Sequence, residues 1–429
     1  MKLSSLLKSY GPGIAVAATG VGAGDMVAAS VAGAKFGTVI LWSAVFGAVI
    51  KFALNEGVAR WQLATGTTMI EGWFAKFPRI VSYYFLIYLI LWSFIVAAAL
   101  ISACGLAGYA MFPQLSVNEW GMIHSVLGVV LVFVGRYRLF ERLMEIFTAL
   151  MFVTVLYCAM MLKPDIAALA SSLFVPTLPE GSAKFILSVM GGVGGSVTLL
   201  SYGYWMREKQ WEGKGYHAHA KRDLGIAYTL SGLFGVAMMV IAAGVNPKVL
   251  TGDTMALEVA GRIGETLGPT GKWMFLLGFW GAVFTSLFGV WQSVPYFFAD
   301  CVFSLKSQSP KSKVNSLSTP NDLRFTPAPS GINDSRLTVH DSLPYKAFLL
   351  FLAFPPMLLL LFGKPVWIIV VYSVVGAFFM PFLAGTLLYM NNNRAWVHEL
   401  KNRWLTNALL ILSLVLFGYL AVTEIADLW

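Results

Sequence analysis

Long apolar runs, each close to the length of a membrane crossing, recur along the chain from Gly11 almost to its end, separated by short polar stretches. A hydrocarbon core about 30 Å thick takes about 20 apolar residues of helix to cross. The pattern predicts helical spans near 11–33, 38–60, 81–111, 119–135, 143–162, 184–206, 223–244, 272–302, 346–363, 366–390 and 404–426. The expected fold class is an all-α polytopic membrane protein of about eleven transmembrane helices, with 1–429 forming a single membrane domain. Trp42, Trp92, Trp273 and Trp367 are read as members of interfacial aromatic belts.

Two of the apolar runs are interrupted by glycine, about five spans apart. The first interruption reads Thr19-Gly20-Val21-Gly22-Ala23-Gly24-Asp25, the second Gly191-Gly192-Val193-Gly194-Gly195-Ser196-Val197-Thr198. Each helical glycine costs up to about 1 kcal/mol relative to alanine, so such clusters suit backbone that unwinds. Unwound backbone at membrane depth is tolerated only where its freed groups face protein, water or substrate. Paired interruptions in corresponding halves point to a transporter built of inverted repeats, its two breaks meeting at a central site. Gly33, Gly105 and Gly108 fit close helix packing instead.

Asp25 lies about 14 residues into the first span. A carboxylate at that depth costs at least about 2.5–3.5 kcal/mol, which makes it a functional candidate; an Asp opening a resumed helix can also cap its amides. Opposite it, Ser196, Thr198 and Ser201 offer hydroxyls, and the glycines offer carbonyls. Oxygen groups of this kind suit hard cations. Each hydroxyl could instead bond a carbonyl one turn back. Tyr202, Tyr204 and Trp205 read as an interfacial aromatic end. Glu56 and Arg60 are spaced to pair along one helix face, and Lys51 is placed within snorkelling reach of that surface.

Composition agrees with the pattern. Of 429 residues, 58% are hydrophobic and 12% charged, with mean hydropathy +0.72; a soluble domain carries roughly 25% charged residues. The bilayer is the expected partner, and a soluble protein is excluded. Lys35, Lys163, Lys184, Lys248, Arg262, Lys272 and Lys364 fall in loops on one side, the remaining loop Lys and Arg on the other. The positive-inside rule then makes the N-terminus cytoplasmic and, with an odd span count, the C-terminus external. The net charge of +9 is spread over these loops, so no nucleic-acid partner is expected. The first apolar run continues as a full span and is expected to stay as its own anchor.

Residues 303–344 are rich in Ser, Pro, Asn and charge and read as a disordered cytoplasmic loop. Cys104, Cys158 and Cys301 stand singly in apolar runs and read as small hydrophobes. The histidines fall mainly in loops, and no nucleophile–base pair or phosphate-binding loop appears. Neither an enzyme nor a resident cofactor is expected.

The run GPGIAVAATGVGAGDMVAASVAGAKFG, with ALNEGVARWQLATG, YRLFERLMEIFTALM and KRDLGIAYTLSGLFGVAMMVIAAG in order and spacing, resembles the Nramp family of divalent-metal transporters. The resemblance implies two inverted five-helix repeats, about 11–162 and 184–390, with broken helices one and six, and an extra helix at about 404–426. Together with the residues of the two breaks read above, the candidate ion site is Gly22, Ala23, Gly24, Asp25, Gly195, Ser196, Thr198 and Ser201, with Asp25 and Thr198 as metal ligands. The family's first-span Asp-Pro-Gly-Asn stands here as Gly22, Ala23, Gly24 and Asp25, and its Met-Pro-His as Thr198, Leu199 and Leu200. Its third-span acidic pair is missing. Soft ligand and proton acceptors thus change together, which implies a hard, partly hydrated cargo such as Mg²⁺, with Mn²⁺ also possible, moved by alternating access without obligatory proton coupling. Two other readings stay open: a carrier of a small organic solute contacting Asp25, and a non-transporting sensor or scaffold signalling through 303–344.

Overall fold

The computed structural model describes residues 11–135, 137–192, 194–245, 255–307, 337–362, 375–376 and 378–426. The side chains of 23–25, 27, 255–256, 337–338, 361–362, 420–421 and 423–426 lie outside that description. All regular elements among the described residues are helices.

The first apolar run forms two helices, α1 (Gly11–Gly20) and α2 (Ala23–Phe36), with a break between them. α3 (Trp42–Thr65) ends at Gly66, whose φ of 72° supplies the left-handed turn that stops the helix. α4 (Met69–Lys76) starts with a capping box of Thr68 and Glu71. α5 (Arg79–Met111) follows Pro78, and α6 (Val117–Val134) has its own box of Ser116 and Glu119. After α7 (Tyr137–Met161), Asp165 caps the short α8 (Ile166–Phe174). The second interrupted run forms α9 (Ala183–Gly192), a 3₁₀ turn at Val197–Leu200, and α10 (Ser201–Glu208). α11 (His217–Val245) and α12 (Met255–Ser307) come next, the latter bent at Gly268 just before Pro269. α13 (Leu337–Asp341), α14 (Leu343–Ala353), a 3₁₀ stretch at Pro355–Phe362, α15 (Phe379–Met390), α16 (Arg394–Val397) and α17 (Trp404–Ala426) complete the order.

Seven helices among the described residues are long and apolar enough to cross a membrane, eight if the segments Arg394–Leu400 and Trp404–Tyr419, bent by 119°, count as one. The first predicted span is split by its break, and the second carries Lys51, Glu56 and Arg60 within α3. Much of the 366–390 span lies outside the described residues. The 272–302 span belongs to a longer helix, since α12 begins at Met255. The predicted loop at 303–344 is helical at both ends, up to Ser307 and again from Leu337; its middle, 308–336, lies outside the described residues. α4 and α8 are too short to leave a span signature.

Packing places the first broken run at the centre. α1 lies against α7, α11 and α12, while α2 runs along α11. α12 also packs on α5 and α14, and α3 lies on α11 and α9. Glycine makes the tightest approaches possible: a Cβ added at Gly33 would sit 2.3 Å from the Met239 carbonyl oxygen, and one at Gly105 2.1 Å from Val117 O. Several aromatics read as interfacial are core residues. Trp92, Tyr202 and Trp205 are fully buried and Tyr204 nearly so, because neighbouring helices cover the segments that carry them. Trp42 is half-buried and donates to Thr177 O at 3.0 Å, whereas Trp273 is exposed; Trp367 lies outside the described residues. Cys104, Cys158 and Cys301 are buried free thiols.

At Gly33 the obstacle to a side chain is backbone, which cannot rotate away. Gly33→Val is therefore expected to destabilise the protein by about 1–3 kcal/mol, the usual cost of overpacking, read as a lower melting temperature in detergent. An unchanged melting temperature would contradict the close α2–α11 contact.

Candidate site at the two helix breaks

The two glycine interruptions touch. A Cβ added at Gly20 would lie 2.8 Å from the Gly194 carbonyl carbon, and one at Gly195 would lie 3.4 Å from the Gly20 Cα. Gly194 and Gly195 have φ of 83° and 80°, a left-handed pair that costs an L-residue roughly 1–2 kcal/mol each. This pair turns the chain out of α9 and into the 3₁₀ turn. Tyr228 of α11 closes over it, its Cε1 2.7 Å from where a Gly194 Cβ would stand.

The break in the first run is held by α12. The Thr285 hydroxyl lies 3.0 Å from Ala18 O and shares its proton with Gly281 O and Ala282 O of its own helix, and the Ser286 hydroxyl lies 2.9 Å from Thr19 O and 3.0 Å from Val21 O, sharing its proton between them. Gly22 gives Ser286 the room to do so, since a Cβ there would lie 2.8 Å from its Oγ. These carbonyls, freed by the break, are satisfied by protein, as membrane depth requires.

The carbonyls of the second break take a cation from the protein itself. Lys51 Nζ donates to Gly191 O at 3.0 Å and also to Gly195 O. Lys51 is fully buried. It stands nine residues after Trp42, about 14 Å along α3 at 1.5 Å per residue, well inside the helix. The reading of Lys51 as a snorkelling surface residue is corrected: the side chain is buried among the helices, and carbonyl oxygens lie within reach of its stem. The Phe417 ring of α17 lies 5.8 Å from the same Nζ, within cation–π range.

Around the breaks, three buried polar atoms have no hydrogen-bond partner among the described residues: Thr19 Oγ1, Ser196 Oγ and Trp92 Nε1. Thr19 sits against Gly289, where a Cβ would lie 1.9 Å from its hydroxyl. Ser196 and Trp92 face a common point, for a Cβ built on Gly376 would lie 3.1 Å from Ser196 Oγ and 4.0 Å from Trp92 Nε1. Unpaired buried donors and acceptors carry a desolvation cost of about 1–3 kcal/mol each.

Beyond α10, towards its C-terminal end, lies a belt of paired polar side chains. Gln62 donates to Gly203 O at 2.6 Å and Tyr202 to Asp223 Oδ2 at 2.9 Å. Glu56 pairs with Arg60 at 2.5 Å, as its spacing predicted, and also with His217 at 2.6 Å. Arg60 reaches Leu400 O and Lys401 O, and Thr68 and Tyr204 both donate to Asp300 Oδ2. His124, within the predicted 119–135 span, lies inside α6 and accepts from Trp280 Nε1 at 2.8 Å.

Of the eight predicted site residues, Gly22 and Gly195 line the breaks, and Ser196, Thr198 and Ser201 are buried beside them. Thr198 turns its hydroxyl towards Gly195. The Ser201 hydroxyl donates to Ser293 at 2.8 Å rather than to a carbonyl one turn back. Ala23, Gly24 and Asp25 form the first turn of α2, and their side chains lie outside the described set. Among the described residues, no three His, Cys, Asp or Glu side chains come together as a metal group. Lys51, Trp92 and Ser286 were missed. For Lys51 a signal existed, because the rule that singled out Asp25, an ionisable group deep in a span, applies equally to it.

A family model described as natural resistance-associated macrophage protein-like matches residues 13–427. A divalent metal cation transporter MntH of Yersinia pestis (strain Pestoides F) is 27% identical over 261 residues, covering 55% of this chain and 59% of that protein. The chain thus spans under two thirds of the length of the curated relatives it matches. Among solved structures, a mutant of the Eremococcus coleocola manganese transporter matches with a TM-score of 0.74 at 14% identity, over 99% of this chain and 87% of that one. A Na⁺-coupled sialic acid symporter in a substrate-bound outward-open state matches with a TM-score of 0.60 at 13% identity, over 96% and 88%. At such identities the likeness concerns the fold, which hosts carriers of different cargo.

Ser286→Ala would leave Thr19 O and Val21 O without their donor, at about 1–3 kcal/mol. The expected result is faster amide hydrogen exchange across residues 19–26 in the detergent-solubilised protein. Exchange unchanged in that segment would show that the hydroxyl does not hold the break.

Proposed function

The chain belongs to the natural resistance-associated macrophage protein-like (Nramp) family, and on that premise we propose that it is a transporter of divalent metal cations working by alternating access. One observation carries the reading beyond the family. At the point where the two broken helices touch, backbone carbonyls converge on a positive charge, the Lys51 ammonium. Carbonyl oxygens that accept an ammonium ion also suit a hard metal ion. Ser196 and Thr198 add hydroxyl oxygens, and Asp25 opens the helix that resumes beyond the first break.

This donor set contains oxygen and no sulfur or imidazole. It favours Mg²⁺, or Mn²⁺ carrying part of its water shell, over softer ions. Leu200 stands where the family carries its histidine, and the family's third-span acidic pair is missing here, so the ion crosses without an obligatory proton travelling with it. The mechanism uses eleven spans in two inverted repeats and an extra helix, the N-terminus cytoplasmic and the C-terminus outside. The repeats rock about the fixed breaks, exposing them to each side in turn.

A second reading rests on Trp92. An indole N–H donates and cannot ligate a metal, yet it shares a buried point with the unpaired Ser196 hydroxyl. A polar organic solute with an acceptor group would satisfy both.

Proteoliposome uptake and binding calorimetry with Mg²⁺, Mn²⁺ and Ca²⁺ test the first reading. Wild type is expected to bind and move Mg²⁺ or Mn²⁺, with Asp25→Asn and Thr198→Ala each weakening binding by roughly tenfold, equivalent to about 1.4 kcal/mol. No binding of any of the three ions at millimolar concentration would sink it.

A further inference from the structure

We propose that Lys51 is a built-in competitor of the cargo: its ammonium group holds the carbonyl cage of the second break whenever no metal ion occupies it, and the two cannot hold the cage together. The inference rests on the reading of the breaks as a cation site and adds how that site is filled and regulated.

Geometry supplies the argument. Lys51 is anchored on α3, while both acceptors, Gly191 O and Gly195 O, belong to the second interrupted run, at the end of α9 and in the break beyond it. The lysine reaches from one helix to the broken backbone of another. An ammonium group has three N–H donors and no acceptor, so it meets oxygen atoms in the way a metal ion would. Gly195 can present its carbonyl this way because it stands in the left-handed region at φ of 80°. The contact therefore uses the same backbone feature that makes the break.

Two positive charges cannot share these oxygens. With its side chain fully buried, Lys51 has no water shell to screen it from an arriving ion, and the repulsion between them acts at low dielectric. A cation entering the break must push the ammonium off the carbonyls. The lysine thereby lowers the affinity of the site and returns to the cage when the ion leaves. Between cargo ions it also satisfies carbonyls that would otherwise face the membrane interior unpaired.

Charge and hydrogen bonding can be separated by substitution. Lys51→Gln keeps an N–H donor and loses the charge, Lys51→Met loses both, and Lys51→Arg keeps the charge. Binding of Mn²⁺ and Mg²⁺ to the purified full-length protein would be measured by calorimetry, with ion-dependent thermal stabilisation as a second readout. The expected result is tighter binding in Lys51→Gln and Lys51→Met, within the roughly 5–150-fold range of site couplings, and no gain in Lys51→Arg. Monodisperse neutral variants that bind no better than wild type would overturn the proposal, since a merely structural lysine would weaken binding when removed. If Lys51→Met does not fold, Lys51→Gln decides alone.

The test also separates this inference from the functional reading. Wild type that transports a divalent ion, with affinity unchanged in both neutral variants, keeps the function and removes the competition. Binding that appears only in the neutral variants establishes the competition and removes metal transport from the wild-type protein.

Discussion

One buried lysine joins the two halves of the site. Lys51 leaves α3 in the buried interior and donates to carbonyls at Gly191 and Gly195, on either side of the point where the second interrupted helix unwinds. An unpaired ammonium ion there would cost several kcal/mol, and so would the unwound carbonyls without a donor. Each removes the other's penalty. The charge that α3 brings satisfies carbonyls of the break in α9–α10, and those carbonyls help the charge to be buried.

The first break follows the same logic with a milder donor. Its freed carbonyls receive hydroxyls from Thr285 and Ser286 of α12, side chains small enough to stand against Gly22. The difference between the two breaks is chemical: neutral donors close the first, and a cation fills the second. The asymmetry makes the second break the more responsive to another cation. Two aliphatic rows could not have met as closely as Gly20 and Gly194 do, so the glycines that weaken each helix are also what lets the breaks share one site.

Much of the architecture was legible in the residues. Glycine clusters marked both breaks to within a few positions, because glycine is the residue that helices use least and left-handed backbone needs most. Gly33 and Gly105 read correctly as packing contacts, and Glu56 with Arg60 as a pair, because both follow from helical spacing along one element. Errors fell on residues whose surroundings come from elsewhere in the chain. Lys51 read as snorkelling since its own helix offers it only the interface. Tyr202, Tyr204 and Trp205 read as a wet end because nothing in their order says that Asp223, Asp300 and Gln292 come to meet them. Short helices such as α4 and α8 lack the length that makes a span visible.

The sequence by itself determined that this is a helical membrane protein of the Nramp family, with two unwound segments and an oxygen-rich, sulfur-free set of candidate ligands. These are properties of composition, period and local backbone preference, and they belong to one segment at a time. Only the tertiary structure decided what fills the unwound segments. That Ser286 serves the first break and Lys51 the second, that Ser201 turns to Ser293, and that Ser196 and Trp92 share an unsatisfied point are all pairings between residues far apart in the chain. Their partners are chosen by which helices lie side by side, and in a bilayer without competing water that proximity settles where every polar group must find its bond.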